Sequence, residues 1–149
     1  MVHFVYLSCS KHKYQTLQTI EYSFLLPFPP SVNTYYRRLK TGRVLISKKG
    51  REFSSKVVEI IKQSGEVHKP IDGDIHIFCA LSPKDQRKRD LDNVDGKALW
   101  DALTKAGVWL DDSQVKTRFS EMLPYEKSRA GLVYVAVRQL RKRGLVQWP

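Results

Sequence analysis

Residues 87–101 read RKRDLDNVDGKALWD. Three bases run straight into Asp90, Asp92 and Asp95, and Lys97 and Asp101 follow at once. A charged loop here gives way to an amphipathic helix. Over 94–106, Ala98, Leu99, Ala102, Leu103 and Ala106 share one helical face, while Lys97, Asp101 and Lys105 recur at i, i+4, i+8 on another. Gly107 stops it. On the upstream side lies an apolar, β-prone run, GDIHIFCAL at 73–81, followed by the charged SPKDQRKRD. Downstream, 114–122 and 131–139 read as two strands, with PYEKSRAG between them as a hairpin turn. Further upstream, 48–64 is a helix: Ser47 is its N-cap, Phe53, Val57, Ile60 and Ile61 line its apolar face, and Gly65 ends it. IEYSFLL at 20–26 is a first strand, which the prolines of PFPPS terminate. The order is β-α-β-α-β-β. It predicts a two-layer α/β sandwich, a four-stranded mixed sheet with two helices on one face.

The chain has 149 residues, enough for one domain with its own core, and 42% of them are hydrophobic. We expect the domain over 19–140, an extra arm at 1–18 and a basic tail at 141–149. The formal charge is +11, from 26 Lys and Arg against 15 Asp and Glu, which favours an anionic partner such as nucleic acid. Cys9 and Cys79 form no CxxC pair, so a zinc ribbon is excluded and a reducing, cytoplasmic compartment is expected. No apolar run approaches the roughly 20 residues of a membrane span, so no membrane partner is expected. Between Glu21 and Glu52 there is no acid but there are seven bases, with Asn33, Tyr35 and Tyr36 among them. That mixture suits phosphates beside unstacked bases. Tyr35 or Tyr36 taken singly reads better as packing on the core, while the segment as a whole reads as phosphate contact.

Acids in so basic a chain need a reason. Asp90 and Asp92 are two apart, so in an extended segment both carboxylates point the same way. Asp111 and Asp112 follow the second helix, and GVWL has room to run back toward that helix's start. Carboxylates without His or Cys suit Mg²⁺, with Mn²⁺ as its substitute, and such a site supports phosphoryl transfer. Lys97 would neutralise charge developing on the phosphate. The competing explanation is local. Asp92 or Asn93 would cap the second helix, Asp95 would sit in its first turn, Lys97 and Asp101 would be a surface pair, and Asp111–Asp112 a turn. That explanation leaves Asp90 and its abutting bases unexplained. A haloacid-dehalogenase-type D-x-D is discounted, because a charged loop precedes the pair here rather than an apolar strand.

The run RKRDLDNVDGKALWDALTKAGVWLDDSQV resembles the core signature of the RusA-type Holliday junction resolvases, small endonucleases common in prophages. LPFPPSVNTYYR and ISKKGREF resemble the family's opening and its lead into the first helix, so the likeness spans about residues 20–138. The resemblance implies a homodimeric, Mg²⁺-dependent enzyme of DNA recombination and repair that resolves four-way junctions by paired symmetric nicks. Asp90, Asp92 and Asp112 would be its catalytic acids and metal ligands, with Asp111 ranked below Asp112, and Lys97 its catalytic lysine. VDG carries one residue more than the family spacing before that lysine, which Gly96 would absorb or which would swing Lys97 aside. Asn33, Tyr36, Arg37, Arg38, Lys48 and Lys49 would grip the junction arms. Arg87, Lys88, Arg89 and Lys105 would add to that grip. The alternatives are a DNA-binding module without catalysis, or a degenerate resolvase that binds junctions without cutting.

Overall fold

The computed structural model describes residues 21–94 and 96–140. The expected arm at 1–18 and tail at 141–149 lie outside the described residues, as does Asp95. The elements run β1 (Tyr22–Pro27), α1 (Val32–Tyr35), β2 (Tyr36–Arg38), β3 (Val44–Ile46), α2 (Lys48–Ser64), β4 (Ile75–Ser82), α3 (Lys97–Lys105), β5 (Val115–Met122) and β6 (Leu132–Gln139). The fold is α/β, with a four-stranded mixed sheet ordered β1-β6-β4-β5. The expected order therefore lengthens by a one-turn helix and a small hairpin, β2–β3, inside the acid-free segment.

The sheet overturns one expectation. β5 and β6 do not form a hairpin. β5 pairs in parallel with β4 on one side, and β6 pairs antiparallel with β4 on the other. Composition explains the placement. β6 (LVYVAVRQ) and β4 (IHIFCALS) are apolar enough to lie in the middle of the sheet, whereas β5 (VKTRFSEM) is charged and takes an edge. The 123–131 connection crosses the end of β4, where Leu123 N–H donates to Leu81 O (2.8 Å) and Gly131 N–H to Ser82 O (3.1 Å).

One face of the sheet holds the core. Phe24 and Leu26 from β1, Ile75, Ile77, Cys79 and Leu81 from β4, and Val133, Val135 and Val137 from β6 pack against Phe53, Val57 and Ile61 of α2 and Leu99, Ala102 and Leu103 of α3. The other face is open, with Phe78 stacked on Phe119 at 5.6 Å and Leu25 exposed. Both layers follow from pattern: period two puts alternate strand residues inward, and period 3.6 gives each helix one buried stripe. α2 begins and ends where the sequence signals it. Ser47 Oγ accepts from Gly50 N–H (3.0 Å), and Gly65 closes the helix at φ 65°. Cys79 is buried in the core. Among the described residues, no helix is long and apolar enough to cross a membrane.

Candidate active site and nucleic-acid groove

α3 starts three residues later than its apolar spacing suggests. Leu91–Asn93 form a 3-10 turn, closed by Asn93 N–H to Asp90 O (3.2 Å) and Val94 N–H to Leu91 O (3.1 Å). Leu91 is partly buried against the core, which favours the turn over the extended segment assumed for Asp90 and Asp92. Their shared direction therefore cannot be argued from period two. The capping explanation fails as well. Gly96 occupies the N-cap position of α3, with no side-chain capping hydrogen bond among the described residues. Gly96 has φ 123°, a conformation that L side chains rarely adopt, and it stands directly before the first turn of α3. Lys97 then becomes the first helical residue.

Asp112 is folded back onto that lysine. Lys97 Nζ donates to Asp112 Oδ2 at 3.3 Å and to Asp101 Oδ1 at 2.6 Å. Thr104 Oγ1 donates to Asp112 Oδ1 at 2.5 Å, and Trp109 Nε1 approaches the same oxygen at 3.4 Å. The return path is held by Gln114. Its Oε1 accepts from the Leu110 and Asp111 N–H groups (2.7 and 2.9 Å). Its Nε2 donates to the carbonyls of Ile71 (2.9 Å) and Gly73 (2.7 Å). Trp109 is buried and its backbone bridges to Ile71. Asp111 serves the turn, since its carboxylate accepts from Ser113 N–H at 2.8 Å. The Ser113 hydrogen bonding at this exposed carboxylate pulls its pKa below the ordinary value, with Lys97 adding to the effect. Asp101 is in turn bound by the Tyr35 hydroxyl (2.8 Å), and Tyr35 is 1% exposed. Hydrogen bonding to Asp101 is the largest influence holding the Lys97 ammonium in its charged form, and raises its pKa. Burial, then the bond to Asp101, raises the Tyr35 phenol well above its ordinary value, so the ring stays a neutral donor.

Asp90 lies on the connection between β4 and α3. It is exposed, accepts from Asn93 Nδ2 at 3.3 Å, and lines two grooves that flank the 84–90 loop. The larger groove, about 920 Å³, runs between the PFPPS segment, α2 and this loop. Its walls carry the expected contacts Asn33, Lys49, Arg87, Lys88 and Arg89. They also carry Lys84, from the same charged run of bases at 84–89, and Lys56, which no sequence motif singles out. Arg89 is preset: its guanidinium bonds Asp85 at 2.8 Å and lies 5.9 Å from the Phe28 ring centroid. Arg37 and Arg38 are exposed on β2, and Lys105 is exposed on the last turn of α3. Lys48 is exposed 3.8 Å from Glu52. Tyr36 is half-buried, edge-on to Tyr35 at 4.9 Å, so its ring serves packing. Asp92 is exposed within the 3-10 turn.

The structure thus joins Lys97 to Asp112, and Asp90 to the basic groove. By donor chemistry the three carboxylates suit a hard cation. Among the described residues, however, no group of three or more His, Cys, Asp or Glu is gathered ready to hold a metal. The cation that Asp112 and Asp101 share here is the Lys97 ammonium.

The chain is similar to known proteins. Over 95 residues, 63% of this chain, it is 47% identical to the crossover junction endodeoxyribonuclease RusA of Shigella sonnei, with 76% of that protein covered. The protein of the same name from Escherichia coli K12 is 46% identical over the same spans. That of Enterobacteria phage 82 is 47% identical, again over 76% of its length. The family described as Endodeoxyribonuclease RusA matches residues 27–138, from the end of β1 almost to the end of β6, and the chain belongs to that family.

Proposed function

We propose that this protein is an endonuclease that resolves four-way DNA junctions by paired symmetric nicks, acting as a Mg²⁺-dependent homodimer. The observation that carries the reading is Asp112 folded back onto Lys97, 15 residues away in sequence, in a chain whose relatives are crossover junction endodeoxyribonucleases. Family membership supports junction cleavage, and the +11 charge and the basic groove that Asp90 helps to line support a DNA substrate.

The chain's own residues divide the work. Lys49, Lys84 and Arg89 grip the phosphate backbone in the groove. Asp85 holds Arg89 in place, so less side-chain freedom is lost when DNA binds. Asp90, in the groove's wall, meets the strand to be cut. Thr104 and Trp109 fix Asp112 through Oδ1, which leaves Oδ2 for the reacting centre. The Lys97 ammonium sits beside Oδ2 and offsets negative charge as the phosphodiester is attacked. Asp90, Asp92 and Asp112 would hold Mg²⁺, for which Mn²⁺ substitutes, and the bound metal would polarise the phosphate and lower the pKa of the attacking water. Cleavage on the 3′-oxygen side leaves a 5′ phosphate and a ligatable nick. A junction presents paired strands, and a two-fold dimer presents two matched sites to them.

The test compares Mg²⁺-dependent cutting of a mobile four-way junction and of a linear duplex by wild type and Asp92→Asn. Wild type should nick the junction in pairs and leave the duplex largely intact, and the variant should bind without cutting. Equal cutting of duplex would defeat the junction selectivity. Junction binding without cleavage by the wild type would make the protein a binding module or a degenerate resolvase.

A further inference from the structure

We propose that Asp101 and Tyr35 form a positioning relay that aims the Lys97 ammonium at Asp112, an inference that rests on the nuclease reading above. A lysine carries a compact charge on a flexible four-carbon stem, so a reaction that needs the ammonium at one place needs something to hold it there. Lys97 is about half exposed, yet its Nζ is drawn to Asp101 Oδ1 at 2.6 Å, closer than to Asp112 Oδ2 at 3.3 Å. The stronger attachment is therefore to the residue not assigned to the reaction.

Asp101 would itself be free to turn were it an ordinary surface acid. Its second oxygen, however, accepts from the Tyr35 hydroxyl at 2.8 Å, a contact 66 residues away in sequence. The Tyr35 ring has nowhere to go. It is 1% exposed, Tyr36 abuts it edge-on at 4.9 Å, and α2 passes so close that a Cβ on Gly50 would stand 2.7 Å from Tyr35 Cδ2. The Tyr35 carbonyl accepts from the Ser47 N–H (2.8 Å), and Ser47 caps α2. A rigid chain of contacts thus runs from the start of α2 through the Tyr35 hydroxyl and the Asp101 carboxylate to the Lys97 ammonium. Neither relay residue needs to touch DNA or metal. Each acts by fixing the residue beyond it. A plain i,i+4 surface pair would need no buried phenol behind it.

Single-turnover cleavage of a four-way junction in saturating Mg²⁺ tests the relay, with junction affinity and melting temperature measured on the same full-length proteins. Asp101→Asn should cut at least tenfold more slowly, with affinity within twofold of wild type and the fold intact. Tyr35→Phe keeps the packed ring and loses only the hydroxyl, and should slow cutting three- to tenfold. Because the two act in series, the double variant should be no slower than Asp101→Asn alone, whereas independent contributions would multiply. Asp101→Glu, which restores the charge, should recover part of the rate. Cutting by Asp101→Asn within twofold of wild type overturns the relay while leaving the nuclease reading intact. So does a loss of rate matched by an equal loss of affinity, or multiplied losses in the double variant. A wild type that does not cut junctions overturns the nuclease reading and the relay with it. Should Asp101→Asn fail to fold, Tyr35→Phe decides alone: an unchanged rate overturns the relay.

Discussion

Replacing Asp112 by Asn separates catalysis from stability. The Oδ1 side faces two donors, the Thr104 hydroxyl and Trp109 Nε1. The indole N–H can only donate, so the amide oxygen of the substituted side chain stays on that side. Its NH₂ then confronts the Lys97 ammonium, and the 3.3 Å pair is lost. A hydrogen bond to a charged group contributes about 1.5–3 kcal/mol when well made. This one is long, its partners are 53% and 33% exposed, and Lys97 keeps Asp101. Solvent screening then reduces the loss to about 0.5–1 kcal/mol. That is a fall of only a few degrees in melting temperature, about 2–4 °C per kcal/mol for a chain of this size. Junction cleavage, by contrast, should drop at least a hundredfold, since Oδ2 would no longer serve the reacting centre. Calorimetric melting and single-turnover cutting on the same preparation read both quantities. Cutting within a few-fold of wild type would refute the role of Asp112. Unfolding of the variant at room temperature would refute the small stability cost.

Gly50→Ala should destabilise the fold by about 1 kcal/mol in urea titrations: a better helix former gains up to about 1 kcal/mol. Overpacking costs about 1–3 kcal/mol, and the new Cβ would meet Tyr35 Cδ2 at 2.7 Å and Ile46 Cγ2 at 2.8 Å. Burial, with Arg138 nearby, lowers the His76 pKa. The unfolded chain therefore binds its proton first, and stability should fall as pH drops below about 6.5 and level off below the folded-state pKa. His76→Gln should flatten that part of the melting-temperature profile. Junction affinity should weaken steeply with salt, and Lys49→Ala or Lys84→Ala in the groove should each reduce the log–log slope by about one.

Local signals suffice where the chain folds locally. Ser47 and Gly65 bracket α2 because a cap and a left-handed residue are properties of a few neighbours. The D-L-D-N and W-L-D-D-x-Q runs mark the acids by type and order. What is illegible is set by distant contacts. Alternation makes strands of 114–122 and 131–139, but it does not say which strand lies between them, and β4 does. The hairpin β2–β3 leaves little trace in the sequence because its strands are three residues long and Val44, Leu45 and Ile46 are exposed. Spacing leaves open whether Asp112 returns to Lys97. The answer lies in Gln114 reaching Ile71 and Gly73, more than 40 residues upstream. Tyr35 reads as core or as DNA contact. Its ring is core, and its hydroxyl reaches Asp101 beside the candidate active site.

The central claim is that Asp90, Asp92 and Asp112 take up a divalent cation beside Lys97. Diffraction at the manganese edge from crystals grown with Mn²⁺ and junction DNA tests it most directly. The account predicts an anomalous peak within ligand distance, about 2–2.5 Å, of oxygens from those aspartates, next to a backbone phosphate. A complex that holds the junction yet shows no peak there, with Lys97 still paired to Asp112, would contradict it.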